Sequence, residues 1–261
     1  MTDIAATRSD KLDMARVIGS TLEVLGRNIM TFGVLALVLA GIPTAIIGYL
    51  QASNVEPTAA FSLTPGYFGA AGFGGLAAMI TNAILQGALI YGTVQDLNGR
   101  RAGIADCLAS GLRAFLPLIG LTILLVVAIL FGLVLLIVPG IMMACAWCVA
   151  VPSLVADRTG VFGAFSRSAE LTRGSRWRLF GLFLVVWVML MIISAVSLGL
   201  ITAFSLRGAA AVVRSPAWVL ANLITNTLSS LISSTGVAVL YVELRKLREG
   251  AGPQWLADVF S

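Results

Sequence analysis

Three features of this sequence have residue types and spacing that could do chemistry. Cys145-Ala-Trp-Cys148 carries the C-x-x-C spacing used by dithiol redox centres and by paired metal ligands. Asn222, Asn226, Ser230 and Ser234 recur every four residues in an otherwise apolar stretch. Together with Asn82 and Gln86, one turn apart in another such stretch, they are candidates to line a polar path between helices. Arg167, Arg173, Arg176, Trp177 and Arg178 crowd in just before the apolar run from Leu179 to Phe204. That cluster has the composition of a contact for anionic lipid headgroups, where each basic side chain contributes about 1 kcal/mol.

Each feature also has a plain structural reading. The two cysteines lie inside an apolar run with no second pair and no basic residue to lower a thiol pKa, so small-residue packing is expected of them. The sequence has three cysteines and no histidine, which removes the commonest metal ligand and the commonest general base together. No catalytic residue, metal ligand or cofactor site is therefore assigned, and no cofactor is expected. The amides and hydroxyls serve equally well as hydrogen-bonding contacts between packed helices. The arginines and Trp177 serve equally well as anchors at a membrane interface.

The elements that carry these residues are set by composition. The 261 residues are 59% hydrophobic and only 11% charged, with a mean hydropathy of +0.98, whereas soluble domains carry about 25% charged residues. An integral membrane protein follows, all-α because only a helix or a closed barrel satisfies its backbone in hydrocarbon. The net charge of +5 does not indicate nucleic acid, because the basic residues punctuate apolar runs instead of pooling on one soluble face.

A bilayer core about 30 Å thick needs roughly 20 apolar residues of helix. Six segments qualify: residues 29–50, 75–95, 115–138, 141–156, 179–204 and 217–242. The fourth is short, but Pro139-Gly140 breaks the long apolar run 115–156 and makes a hairpin of two helices more natural than one. Residues 1–27 form an amphipathic lead-in with acidic residues among the basic ones, unlike a secretory signal, so the chain is expected to insert through its first helix. Residues 243–261 form a tail on the same side. With both termini cytoplasmic, 15 of the 17 lysines and arginines fall inside, leaving only Arg207 and Arg214 outside. The span interiors carry no ionisable residue, which argues against a proton-driven carrier.

Three stretches share one pattern: residues 12–27, 104–113 and 161–178. Each reads as an amphipathic helix ending at a glycine and an arginine, namely Gly26-Arg27, Gly111-Leu-Arg113 and Gly174-Ser-Arg176, and each precedes two spans. The expected architecture is a single domain of three interfacial-helix/span/span repeats. In the first stretch Met14, Ile18, Leu22 and Leu25 are expected to form the apolar face. Ala70, Ala71, Gly74, Gly75 and Ala78 supply small-x-x-x-small spacings for close packing ahead of the second span.

Residues 139–181 carry Pro139-Gly140, Leu154-Val155-x-Asp157, Gly160, Ala164, the run Arg167-Ser168-x-x-Leu171-Thr172-x-Gly174, and Trp177. In these positions the chain resembles the membrane-domain family associated with bacterial glycerophosphoryl diester phosphodiesterases and, more loosely, YciC-like inner-membrane proteins. The close likeness covers about 43 residues. It implies a bacterial inner-membrane location. In some relatives such a domain precedes a soluble phosphodiesterase barrel whose metal-dependent chemistry uses histidines and acidic residues; this chain has no histidine, so that activity does not transfer. The expected function is that of a non-enzymatic membrane protein contacting or organising anionic lipids or protein partners, including a homo-oligomer. The alternative is transport of a small solute or lipid along Asn82, Gln86, Asn222 and Asn226.

Overall fold

Asp13 starts the first helix, its carboxylate accepting from the backbone N–H of Ala15 at 3.0 Å and of Arg16 at 3.3 Å, as an N-cap should. Helix α1 (Met14–Arg27) ends where the Asn28 side chain bonds the Val24 carbonyl, and the first span begins at the next residue. The structure, a computed structural model, describes residues 13–53, 65–135, 137–204 and 216–249. All its regular elements are helical, and six are long and apolar enough to cross a membrane: Ile29–Ile47, Gly74–Leu97, Ile104–Val134, Gly140–Asp157, Arg176–Val196 and Val219–Glu249. The protein is a multi-pass integral membrane protein. Arg207, Arg214 and the end of the expected tail lie outside the described residues.

The first span contains α2 (Ile29–Ala36), a π-helical turn (Leu37–Gly41) and α3 (Ile42–Ser53). Pro43 accounts for the wide turn, since it has no N–H to donate and its ring would collide with the Leu39 carbonyl in a regular helix. The turn also presents Gly41 to the last helix, where a Cβ would lie 2.6 Å from Thr227 Oγ1. A larger residue there would have to displace the Thr227 hydroxyl.

Helix α4 (Pro65–Leu97) crosses α5 (Ile104–Leu135) at an equally close point. A Cβ on Gly111 would lie 2.3 Å from the Ile84 carbonyl oxygen, and one on Gly87 would lie 3.0 Å from Gly111 Cα. This corrects the expected threefold pattern at its middle copy, because residues 104–113 are the first turns of the span itself. Gly111 spaces two helices and ends neither. Gly74, from the expected small-residue series, packs on Ile47, while Gly75 faces open space and the side chains of Ala70 and Ala71 lie outside the described residues.

Helix α6 (Ile137–Ala146) folds back on α5 as a hairpin: a Cβ on Gly132 would sit 3.1 Å from Gly140 Cα, and one on Gly140 would sit 2.8 Å from the Leu133 nitrogen. The helix stops at Trp147 and resumes as α7 (Ala150–Asp157), followed through a left-handed Arg158 and Gly160 by α8 (Gly160–Leu171). Gly174, at φ +85°, turns the chain into α9 (Arg176–Phe204), and α10 (Pro216–Glu249) closes the bundle.

Helices α1, α2, α4 and α10 share one core around Val24, Phe32, Leu85, Leu89, Leu240 and Tyr241. A second cluster joins Ala83, Leu118 and Leu121 to Leu154 and Ala164. By contrast, only 11% of the apolar window of α9 and of α5 is buried, against 44% for α4. Chains such as Phe131, Val185 and Ile192 point outward from helices that are apolar all round, as lipid-facing helices are. In α1 the buried stripe is Val17, Thr21, Val24 and Leu25, while Ile18 and Leu22 are 40% and 64% exposed. The expected apolar face is thus rotated. Thr21 packs beside Gly236 of α10 and Met14 beside Gly181 of α9, contacts that the period of α1 alone does not specify.

Candidate functional site

At one end of the bundle, where α4, α7 and α10 finish and α5 and α9 start, the charged residues separate into two groups. The first is a closed network around Asp157. Tyr241 OH donates to Asp157 Oδ1 at 2.7 Å, and Arg245 Nη1 stands 3.4 Å from the same oxygen. Arg167 Nε reaches Asp157 Oδ2 at 3.4 Å, and the same guanidinium pairs with Glu249 and, at 3.5 Å, with Glu170. Arg245 Nε completes the ring on Glu249 Oε2 at 2.7 Å. The spacing of Tyr241, Arg245 and Glu249 at i, i+4 and i+8 puts all three on one stripe of α10. Asp157 is only 13% exposed at its side chain, so its own bonds are the sheltered ones of the network, while Glu170, Arg245 and Glu249 remain open to solvent. A smaller pair, Arg27 with Asp96 at 2.6 Å, ties α1 to α4 at the same end, and the bond and charge of Asp96 push the Arg27 guanidinium above its ordinary range.

Helix α8 is fixed from its other side by the helix break. Ser168 Oγ donates to the Ala146 carbonyl at 2.9 Å and accepts from Val149 N–H at 3.3 Å; Thr172 Oγ1 lies 3.1 Å from the same carbonyl. These are backbone groups that lose their helical partners where α6 gives way to α7. Cys145 and Cys148 flank that break. Both thiols are free, Trp147 between them packs edge-on against Phe165 at 5.0 Å, and no cluster of metal-ligand type occurs among the described residues. The C-x-x-C spacing marks where the span breaks and α8 docks.

The second group surrounds the turn from α8 to α9. A surface pocket of about 560 Å³ is lined by Ala169, Glu170, Arg173, Gly174 and Arg176. Arg248 from α10 approaches its glycine, with Nη2 3.7 Å from where a Cβ on Gly174 would be. Arg173, Arg176 and Arg248 pair with no carboxylate among the described residues, and the Nε of Arg176 is buried without a hydrogen-bond partner. An unsatisfied buried donor costs about 1–3 kcal/mol, more when charged. Beside the pocket Trp177 is 82% exposed, its ring edge-on to Phe180 at 6.4 Å, and Arg178 is half-buried on the next turn position.

Of the five residues expected at a headgroup contact, Arg173 and Arg176 line one pocket and Trp177 stands next to it. Arg167 is instead committed to Asp157, Glu249 and Glu170. Arg248, which residue order places only among the basic residues near the end of the last span, comes close to Gly174 across 74 positions of the chain. The polar residues of the spans fall out differently. Asn226 Nδ2 donates to the Asn222 carbonyl at 2.9 Å and Thr227 Oγ1 to the Leu223 carbonyl at 2.7 Å, both within α10. On α4, Gln86 is half-buried and Asn82 exposed. Comparison of the chain with protein-family models, with curated proteins and with solved structures finds no match.

Proposed function

We propose that this membrane protein is non-enzymatic, resides in a bacterial inner membrane with its charged end toward the cytoplasm, and uses that end to contact anionic lipids or a partner protein bearing similar acidic chemistry. One observation carries the reading: Arg173 and Arg176 line a pocket that Arg248 approaches, and none of the three pairs with a carboxylate among the described residues. Unpaired guanidiniums at the start of a lipid-facing helix attract a negative surface, and the exposed Trp177 beside them has the amphipathic ring favoured at a membrane interface. The orientation follows from the excess of basic residues at this end. Membership of the phosphodiesterase-associated membrane family is part of the same proposal, carried by the run Arg167 to Trp177, and brings no activity with it. The alternative solute path gains little from the geometry, since Asn226 spends its amide inside its own helix and Asn82 faces outward.

The triple variant Arg173→Gln, Arg176→Gln, Arg178→Gln, reconstituted beside the wild type, tests this. Binding of purified protein in neutral nanodiscs to anionic liposomes is expected to fall while membrane insertion stays intact. Unchanged binding rejects the reading, and hydrolysis of glycerophosphodiesters by the purified chain rejects its non-enzymatic part.

A further inference from the structure

We infer that the pocket at the α8–α9 turn is a discrete site for one phosphate group, and that a phospholipid headgroup supplies it. The inference rests on the lipid-contact reading but goes beyond it, since a diffuse positive surface needs no pocket and holds no particular lipid. Three observations point to a defined ligand. The donors come from two separate segments, since Arg173 and Arg176 line the pocket from the turn while Arg248 approaches Gly174 from the end of α10. Gly174 makes the turn itself, its positive φ favouring glycine, and Arg248 Nη2 comes within van der Waals reach of it, 3.7 Å from where a Cβ would be. Arg176 pairs with no carboxylate among the described residues and its Nε has no hydrogen-bond partner, so its guanidinium is not committed to the fold.

A phosphate suits this donor set because guanidinium forks match its oxygens, and charge-assisted bonds of that kind are the strong ones. Glu170 also lines the pocket. Its carboxylate reaches Arg167 Nη1 at 3.5 Å and faces Arg173 and Arg176 in the lining, with Arg248 nearby, so the balance there stays positive. The depth of the site favours a lipid over a soluble ion: the apolar span begins at Arg176 itself, with exposed Trp177 next in line, which is the level at which headgroups lie.

The test uses the full chain, purified in a neutral detergent, with native mass spectrometry to count retained phosphatidylglycerol and thermal shift to detect inorganic phosphate. Wild-type protein is expected to retain one lipid preferentially. Arg176→Gln and, separately, Arg248→Gln are each expected to lower that occupancy by about tenfold, the effect of losing one charge-assisted bond. Arg100→Gln/Arg101→Gln removes two exposed arginines at the α4–α5 connection and is expected to leave occupancy unchanged. Equal loss in that control overturns the discrete site while leaving the general lipid contact standing. Retained occupancy in both Arg176→Gln and Arg248→Gln also overturns it. A shift with millimolar inorganic phosphate that Arg176→Gln abolishes, without any retained lipid, keeps the phosphate site and overturns the lipid as its source.

Discussion

Arg167 and Arg173 stand six residues apart on the same helix and its turn, at the same end of the bundle, yet they belong to opposite electrostatic situations. Arg167 is enclosed by Asp157, Glu249 and Glu170, and with Arg245 and Tyr241 it binds α7, α8 and α10 into one piece. Arg173 shares its pocket with Arg176, Arg248 stands close by, and none of the three has a carboxylate partner among the described residues. The comparison separates two uses of one residue type. A charge that must hold a fold together is matched internally, whereas a charge left unmatched around a cavity is available to something outside.

The contrast can be broken most forcefully at Asp157. Asp157→Ala removes the more buried of the two carboxylates that Arg167 and Arg245 share, leaving only Glu249 between them and Tyr241 without its acceptor. A loss of about 3 kcal/mol is expected in reversible unfolding in mixed micelles, because breaking a largely buried pair leaves uncompensated charge. A loss under 1 kcal/mol would mean that the network is no more structural than the pocket. The next largest effect is expected from Ser168→Ala with Thr172→Val, which strips the Ala146 carbonyl and the Val149 N–H of their partners at the α6–α7 break. Roughly 1–3 kcal/mol should be lost in the same assay. Hydrogen exchange should quicken at the break first, and protection unchanged there would sever α8 from it. The smallest effect sharpens the other side of the comparison. Arg173→Gln and Arg248→Gln should each stay within about 0.5 kcal/mol of wild type, as substitutions of exposed, unpaired surface residues do. A large destabilisation from either would assign the pocket arginines to the fold.

Much of this architecture is legible in the residue order. Apolar runs of the right length locate six spans, and Pro139-Gly140 locates the hairpin, because helix length and helix breaking are local properties. The arginine cluster before Leu179 is legible in the same way. Other features are not. Gly111 before Arg113 has the look of a helix end, but the nearby α4 backbone uses it as a point of close approach and the helix runs on. The face of α1 is set by Gly236 and Gly181 on other helices, so its own periodicity misplaces the buried stripe. The partners of Asp157 could have been suspected from Tyr241, Arg245 and Glu249, whose spacing lines up one side of α10, had that stripe been weighed against the acidic end of α7.

Residue order alone therefore determines a multi-pass all-helical membrane protein with most of its basic residues gathered at the ends of alternate spans. Hydropathy and charge act on each segment separately, and a bilayer sorts segments one by one. Only the tertiary structure decides which arginines are neutralised and which are left open. Tyr241 meets Asp157 across 84 residues and Arg248 reaches Gly174 from the far end of the chain. Coulomb and hydrogen-bond energies depend on distances of a few ångströms. Those distances exist only once the helices have packed.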